Sequence, residues 1–188
     1  MAQQDLLRKV VEVLEVAGIE YMITGSIASS LQGEPRLTHD LDFVVAIAAE
    51  HVPALLEAFP SPEFYVSAES IAEAIRTNGM FNILHAAEGD KADFWMLTTE
   101  PFDRSRFARR YAEQVFGMSL KVSRPEDTIL MKLRWSALSG GSEKQFQDAL
   151  HVYEVQANDL DLDYLEHWAI ELGVAQEWER IQDTAELP

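Results

Sequence analysis

Two aspartates separated by one residue, Asp40 and Asp42, precede the apolar run at residues 43–47 and are the residues best suited to chemistry. In a β-strand, residues two apart point to the same face and are separated by about 6–7 Å. Both carboxylates would therefore lie on one side at the start of a strand. Carboxylate oxygens suit Mg²⁺, so the pair predicts a divalent metal site. Two solvated acids at the mouth of a strand are the alternative.

A pair of metal ions needs bridging carboxylates and at least one more acid from a neighbouring strand. Asp93 is the natural candidate, because it lies in a strand predicted at residues 91–97, after a hairpin turn at residues 88–90. Alternation puts Asp93 on one face with Lys91 and Trp95, and the apolar residues between them on the other. We predict that Asp93 completes the metal site. A polar-face residue of an edge strand is the alternative.

Gly25 and Ser26 could bind a phosphate. They follow an apolar strand predicted at residues 19–24 and open a short helix at residues 26–32. Glycine lets the backbone approach a ligand closely, and a helix N-terminus points N–H groups at it. The Ser26 hydroxyl can bond a phosphate oxygen. A phosphate turn placed before a metal-binding pair favours nucleotide chemistry.

A second acidic run gives an internal control, since Asp159, Asp161 and Asp163 repeat the same spacing twice. This run precedes a predicted helix and has no glycine turn before it. Such acids are typical of helix N-caps and solvated charge at a helix start. The spacing of two aspartates alone therefore proves little.

Arg36 and Thr38 lie in the loop before Asp40, where they could reach phosphates or satisfy backbone groups. His39 precedes the first acid and would point to the opposite face, so no catalytic role is assigned to it. A concentration of four arginines could bind an RNA backbone or a second phosphate, although pairing with neighbouring acids is the favoured interpretation. These arginines are Arg104, Arg106, Arg109 and Arg110.

The composition restricts the class of protein. The chain has 188 residues, 47% hydrophobic content and no cysteine, which favours a globular cytoplasmic protein without disulfides or thiolate metal sites. No apolar run approaches the length of about 20 residues that spans a bilayer, so no membrane partner is expected. The formal net charge of −17 disfavours broad attraction to nucleic acid. An RNA substrate would need a local basic patch or bridging cations.

Strands and helices alternate in the first part of the chain, and only helices follow Ser123. This order predicts an α/β (α+β) fold, with a mixed sheet flanked by helices and a small C-terminal helical subdomain. The predicted domains are residues 1–122 and 123–188. Ser123 and Glu126 are predicted to form a capping box at the first C-terminal helix. Four C-terminal helices are predicted, at 125–138, 143–156, 161–171 and 174–184.

The sequence from Gly25-Ser26 through Asp40-Leu41-Asp42 resembles the signature of the DNA polymerase β-type nucleotidyltransferase superfamily. It is similar to the branch that includes the nucleotidyltransferase toxins of abortive-infection systems and small uncharacterised relatives. The pieces Lys91-Ala92-Asp93, Lys132, and Lys144 with Asp148 strengthen this resemblance, which touches residues 21–150. The Gly-Ser and Asp-x-Asp core is quite specific, whereas the lysines are weak signals.

The resemblance implies a set of roles. Asp40, Asp42 and Asp93 would bind two Mg²⁺ ions, or Mn²⁺ in their place, and Asp93 would also help to activate the acceptor hydroxyl. Gly25 and Ser26 would bind phosphate oxygens of a nucleoside triphosphate such as ATP. Lys132 would contact the phosphates or the base, and Asp148 would orient that lysine or the acceptor.

The implied activity moves a nucleoside monophosphate from a nucleoside triphosphate to a hydroxyl. The acceptor could be a small molecule, a protein side chain or an RNA end, and the acidity favours the first two. Two alternatives stay open. One is a non-catalytic nucleotide- or partner-binding module that retains the fold. The other is the toxin of a toxin–antitoxin module, with an antitoxin as partner.

Overall fold

The computed structural model describes residues 3–35 and 40–187. By its internal contacts the chain divides into two compact units, Met1–Ile23 with Thr38–Val122 and Thr24–Leu37 with Ser123–Pro188. The segment 24–37, which the sequence interpretation assigned to the N-terminal domain, groups here with the C-terminal helices. A division into folding domains at residue 122 stays a prediction.

The first unit is built on a sheet whose strand order is β3-β4-β5-β2-β1-β7-β6. Strands β2 and β5 run parallel, as do β1 and β7, whereas β3–β4, β4–β5 and β6–β7 are antiparallel pairs. The predicted α/β (α+β) class with a mixed sheet is confirmed. The strands are β1 (Tyr21–Thr24), β2 (Asp40–Val45), β3 (Phe64–Tyr65), β4 (Met80–His85), β5 (Lys91–Met96), β6 (Tyr111–Val115) and β7 (Met118–Val122).

Apolar alternation explains how β2 and β5 are placed in this sheet. Leu41 and Phe43 of β2 and Phe94 of β5 are at most 1% exposed, and the rings of Phe43 and Phe94 stack with centroids 5.4 Å apart. Phe81 of β4 continues this stack on Phe94 at 4.8 Å. Stacked aromatic side chains on neighbouring strands stabilise one register, because a slip by one residue would turn every buried side chain to the other face.

Helices of the first unit cover the sheet with their apolar sides. They are α1 (Gln3–Val16), α3 (Val52–Ala58), α4 (Ala68–Thr77) and α5 (Pro101–Arg109). Residues of α1 at helical spacing are almost fully buried: Leu6, Leu7, Val10, Val11 and Leu14. Phe107 of α5 packs with Met22 and Val44 in a small buried group. The sheet is thereby fixed as a rigid support for the polar residues at its strand ends.

The second unit contains helices only, within the residues that the structure describes. They are α2 (Gly25–Gln32), α6 (Pro125–Leu138), α7 (Glu143–Gln156), α8 (Leu162–Glu171) and α9 (Ala175–Thr184). The predicted C-terminal helices are thus confirmed to within one or two residues. Helices α6 and α7 pack against each other, and α2 packs on both of them. Tyr153 of α7 meets Trp178 of α9 edge to face at 5.2 Å.

Two predictions about helix starts had different outcomes. Asp161 caps α8, since its side chain accepts a hydrogen bond from the Tyr164 backbone N–H at 3.0 Å, so the interpretation of the second acidic run is confirmed there. The capping box at Ser123 was wrong. Arg124 is the N-cap of α6, with Pro125 following as the first helical residue. The Ser123 hydroxyl instead lies 2.8 Å from the Thr128 hydroxyl and is buried.

Gly33 ends α2 at a point where two helices approach closely. A Cβ atom on Gly33 would lie 2.9 Å from the Val152 backbone nitrogen and 3.0 Å from the His151 carbonyl carbon, both in α7. Real Cβ atoms essentially never come within 3.0 Å of backbone, so a side chain there would push the two helices apart. Gly33 therefore sets how closely α2 packs on α7.

Among helices of the described ranges, none is long and apolar enough to cross a membrane.

We expect Gly33→Ala to lower the free energy of unfolding by about 1–3 kcal/mol, the usual cost of forcing an extra methyl group into a packed contact. Chemical denaturation followed by circular dichroism measures it. Gly79→Ala is the control, because its added Cβ would meet only the Thr77 side-chain oxygen, which can move. Equal losses in the two variants would contradict the close approach at Gly33.

Candidate active site

The three predicted acids lie on one face of the first unit's sheet, on the neighbouring parallel strands β2 and β5. In the strand register Asp42 is opposite Asp93, and Asp40 is opposite Lys91. Neighbouring strands are about 4.8 Å apart, and paired residues in a parallel ladder point to the same face. The sheet thus brings Asp40, Asp42 and Asp93 together, and we call this arrangement the carboxylate face.

Burial differs across the carboxylate face. The Asp40 side chain is 60% exposed, Asp42 is half-buried and the Asp93 side chain is 10% exposed. The Oδ1 atom of Asp93 is fully buried and has no hydrogen-bond partner among the described residues. A buried carboxylate oxygen without a partner is costly, so it indicates a position where a ligand or ion is accommodated.

Lys91 supplies positive charge on the same face. Its Nζ lies 2.8 Å from Asp93 Oδ2 and 3.8 Å from Asp40 Oδ1. The hydrogen bond to Asp93, together with attraction from Asp93, Asp40 and Asp42, raises the pKa of the Lys91 ammonium above its ordinary value. Lys91 is therefore charged at neutral pH and balances part of the negative charge of the three acids.

The carboxylate face fits a Mg²⁺ site in residue type and register. Its donors are all carboxylate oxygens, which Mg²⁺ prefers, and one of them is Oδ1 of Asp93, which has no hydrogen-bond partner within residues 3–35 and 40–187. As the side chains are arranged, no three His, Cys, Asp or Glu residues in the described ranges could by themselves hold a metal ion. The ammonium of Lys91 contacts Asp93 in this arrangement. Mg²⁺ commonly takes only one or two protein carboxylates and completes its shell with water and substrate phosphates.

The predicted phosphate turn belongs to the second unit and follows directly on β1. Gly25 opens α2 with a φ of +64°, a left-handed conformation that favours glycine. Thr24 precedes the helix in an extended conformation and makes no side-chain cap hydrogen bond to it. Ser26 is the next residue, and its carbonyl accepts a hydrogen bond from the Ser29 hydroxyl at 3.2 Å. The backbone conformation therefore allows the close approach expected of a phosphate turn.

Hydrogen bonds anchor α2 within the second unit, and no local sequence pattern predicts them. Gln32 is 2% exposed, and its Nε2 donates to the Ser123 carbonyl at 2.6 Å. In return the Gln32 carbonyl accepts a hydrogen bond from Gln156 Nε2 at 2.8 Å. A glutamine at the end of a short polar helix looks like a surface residue in sequence. Its partners are about 90 and 120 residues away along the chain.

Lys132 of α6 and Asp148 of α7 form a buried ion pair. The Lys132 Nζ donates to Asp148 Oδ2 at 2.7 Å, and the side chains are 4% and 8% exposed. The pair links the two longest helices of the second unit, and both residues make further interactions. The nucleotide-binding roles expected for Lys132 and Asp148 stay predictions, as does the phosphate-binding role expected for Gly25 and Ser26.

Two arginines of the predicted basic group are paired with acids, as the favoured interpretation held. Arg106 donates to Asp103 at 2.8 Å with both side chains largely buried, and Arg110 pairs with Glu20. Their charge is therefore used within the first unit. Arg36 and Thr38, predicted to reach phosphates, lie outside the described residues.

No protein-family model and no curated protein matches the sequence. Solved structures do match. An antigenic nucleotidyltransferase-like protein from Paracoccidioides brasiliensis is similar over 99% of this chain and 94% of its own, with a TM-score of 0.59 and 16% identity. The antibiotic-resistance protein ANT(2'')-Ia, in complex with adenylyl-2''-tobramycin, is similar over 92% of this chain and 98% of its own, with a TM-score of 0.55 and 12% identity.

The chain has the nucleotidyltransferase fold. The likeness covers nearly the whole chain in each case, although fewer than one residue in five is identical, so it is a likeness of architecture. It confirms the fold that the Gly-Ser and Asp-x-Asp resemblance implied.

Within this nucleotidyltransferase fold, we expect loss of the buried Lys132 charge to destabilise the helical unit. Lys132→Met should lower the free energy of unfolding by about 3–5 kcal/mol, because Asp148 is left as a buried charge without its partner. The double variant Lys132→Met/Asp148→Leu should recover much of that loss. Denaturant titration measures all three proteins.

The matched control for this prediction is an exposed ion pair. Arg76 and Glu73 lie 2.6 Å apart on α4 with side chains 70% and 59% exposed, so Arg76→Met should change the free energy of unfolding far less than Lys132→Met does. If Lys132→Met lowered the free energy of unfolding no more than Arg76→Met, the buried Lys132–Asp148 pair would not stabilise the helical unit.

Proposed function

We propose that this protein is a Mg²⁺-dependent nucleotidyltransferase, which moves a nucleoside monophosphate from a nucleoside triphosphate to an acceptor hydroxyl and releases pyrophosphate. The observation that carries the proposal is the register of β2 and β5, which places Asp42 opposite Asp93 with Asp40 on the same face. The nucleotidyltransferase fold of the whole chain supports it.

In this reaction the acceptor oxygen attacks the α-phosphorus, and the bond from that phosphorus to the oxygen bridging it to the β-phosphorus breaks. The electron pair of that bond leaves with pyrophosphate, and the acceptor gives up its proton. Asp93 suits the role of proton acceptor, since its buried Oδ1 has no partner in the described part of the chain. Asp40 and Asp42, more exposed, would bind the metal ions with Asp93.

Divalent ions, when bound, would neutralise the triphosphate and the charge that develops on the leaving group. Gly25 and Ser26 would bind phosphate oxygens through the backbone N–H groups at the start of α2, which the positive φ of Gly25 allows to approach closely. Catalysis would come mainly from positioning and electrostatic stabilisation rather than from covalent chemistry of the protein.

A small molecule or a protein side chain is the acceptor class that the charge favours. The net charge of −17 opposes broad electrostatic attraction to a polyanionic acceptor such as RNA. Arg106 and Arg110, which the RNA alternative would need, pair with acids of their own unit. ANT(2'')-Ia was solved with adenylyl-2''-tobramycin, an adenylylated small molecule, and this agrees with such an acceptor. A toxin role with an antitoxin partner, and a cytoplasmic location, stay predictions from the sequence.

We expect Asp42→Asn to abolish metal-dependent triphosphate binding and to reduce nucleotidyl transfer by a factor on the order of 10² or more, since one ligand of the metal is lost. Calorimetry with each nucleoside triphosphate and Mg²⁺ measures binding. Transfer of label from α-labelled nucleotides to components of an extract of the source cells measures activity.

Asp159→Asn is the matched control, because it removes the same charge from an exposed Asp-x-Asp pair that precedes α8. It should bind and transfer like wild type. Binding that is equal in wild type and Asp42→Asn would overturn the metal site. Binding without transfer, for all four nucleotides, would favour the non-catalytic binding module.

A further inference from the structure

Lys91 occupies the position on the carboxylate face where a cation is expected. Its Nζ is within 2.8 Å of Asp93 Oδ2 and 3.8 Å of Asp40 Oδ1, so one ammonium is shared by acids of two strands. The strand register allows this contact, because Lys91 is opposite Asp40 and Asp93 follows two residues later on the same face. An ion bound to Asp40 and Asp93 and this ammonium cannot take the same place.

We propose that the Lys91 ammonium is a cation that exchanges with a divalent metal ion on the carboxylate face. It pairs with Asp93 while no metal is bound, and it must leave Asp93 before a divalent ion binds there. This inference rests on the proposed function, since it concerns the metal that the transfer reaction requires. It gives Lys91 a part in metal binding, a role that the family resemblance did not imply for this residue.

Charge balance explains why such a cation is needed. Asp93 is 93% buried by residue exposure, and an ionised carboxylate that is largely removed from water is unstable without a nearby positive charge. The ammonium of Lys91 supplies that charge through Oδ2, while Oδ1 of Asp93 has no partner in the part of the chain that the structure describes. The Asp93 side chain can therefore keep its position while no metal is bound, and its Oδ1 atom remains available as a metal ligand.

Lys91 also has the properties that exchange requires. Its side chain is 35% exposed, and it is attached to a flexible stem of four carbons that allows the ammonium to swing toward solvent or toward a phosphate. A divalent ion would carry twice the charge of the ammonium and would repel it at short distance. A free divalent ion would thus bind weakly, whereas a triphosphate brings oxygen ligands for the metal and negative charge for the displaced ammonium.

We expect Lys91→Met to increase the affinity for free Mn²⁺ by about tenfold or more, because the competing charge is gone. Electron paramagnetic resonance of unbound Mn²⁺, titrated without nucleotide, measures this affinity. The same variant should melt at a lower temperature than wild type without divalent ions, and added Mn²⁺ should restore more of its stability than it adds to wild type.

Two variants serve as controls. Lys91→Arg keeps the positive charge and should retain the weak Mn²⁺ affinity of wild type. Lys121→Met removes an equally exposed lysine from β7 of the same unit, where it lies 3.6 Å from Glu20. It changes the net charge by the same amount, so it should leave Mn²⁺ affinity within about twofold of wild type, since exposed charges at a distance are screened.

The outcomes separate this proposal from the proposed function. Tighter Mn²⁺ binding by Lys91→Met supports it even if no nucleotidyl transfer is found. Wild-type Mn²⁺ binding that depends on Asp42 but is unchanged or weakened in Lys91→Met would overturn it, and would make Lys91 a purely structural partner of Asp93, with the metal site intact. If no variant binds Mn²⁺ with or without nucleotide, both this proposal and the metal dependence of the reaction are wrong.

Discussion

The parallel in-register pairing of β2 with β5 determines which residues meet on the carboxylate face. This pairing sets Asp42 against Asp93 and Asp40 against Lys91, so that three carboxylates and one ammonium share a small area of one sheet face. The opposite face fixes the register through the stacked rings of Phe43 and Phe94. A slip of one residue would bury the acids and expose those rings, so the packing of the sheet and the composition of the site are decided together.

While no metal is bound, the protein has to stabilise the Asp93 carboxylate, which is largely removed from water. Asp93 is 7% exposed, and Lys91 offsets its charge through a direct hydrogen bond. The second unit shows a different solution to the same problem, because Lys132 and Asp148 are both buried and paired. One pair is accessible enough to exchange its cation, and the other is not. That contrast is the physical reason for assigning exchange to Lys91 and a structural contribution to the Lys132–Asp148 contact.

Much of the fold could be predicted from local sequence patterns. Alternation put Asp93 and Lys91 on one face of a strand, and the missing glycine turn distinguished Asp161 as a helix cap. What local patterns could not supply was the partner of each side chain. The hydrogen bond from Gln32 to Ser123, the close approach of Gly33 to α7 and the choice of Arg124 as the N-cap of α6 depend on residues distant in sequence or on competition between neighbouring caps. The strand order that makes β2 and β5 neighbours is likewise determined by tertiary contacts and not by local sequence.

The most direct measurement is a crystal structure grown with Mn²⁺ and a non-hydrolysable nucleoside triphosphate, with the metal located by its anomalous scattering. We expect Mn²⁺ bound to oxygens of Asp40, Asp42 and Asp93 and to the triphosphate, with the Lys91 ammonium withdrawn from Asp93. Mn²⁺ found away from these carboxylates, or bound nucleotide with the Lys91–Asp93 contact unchanged at 2.8 Å, would contradict it.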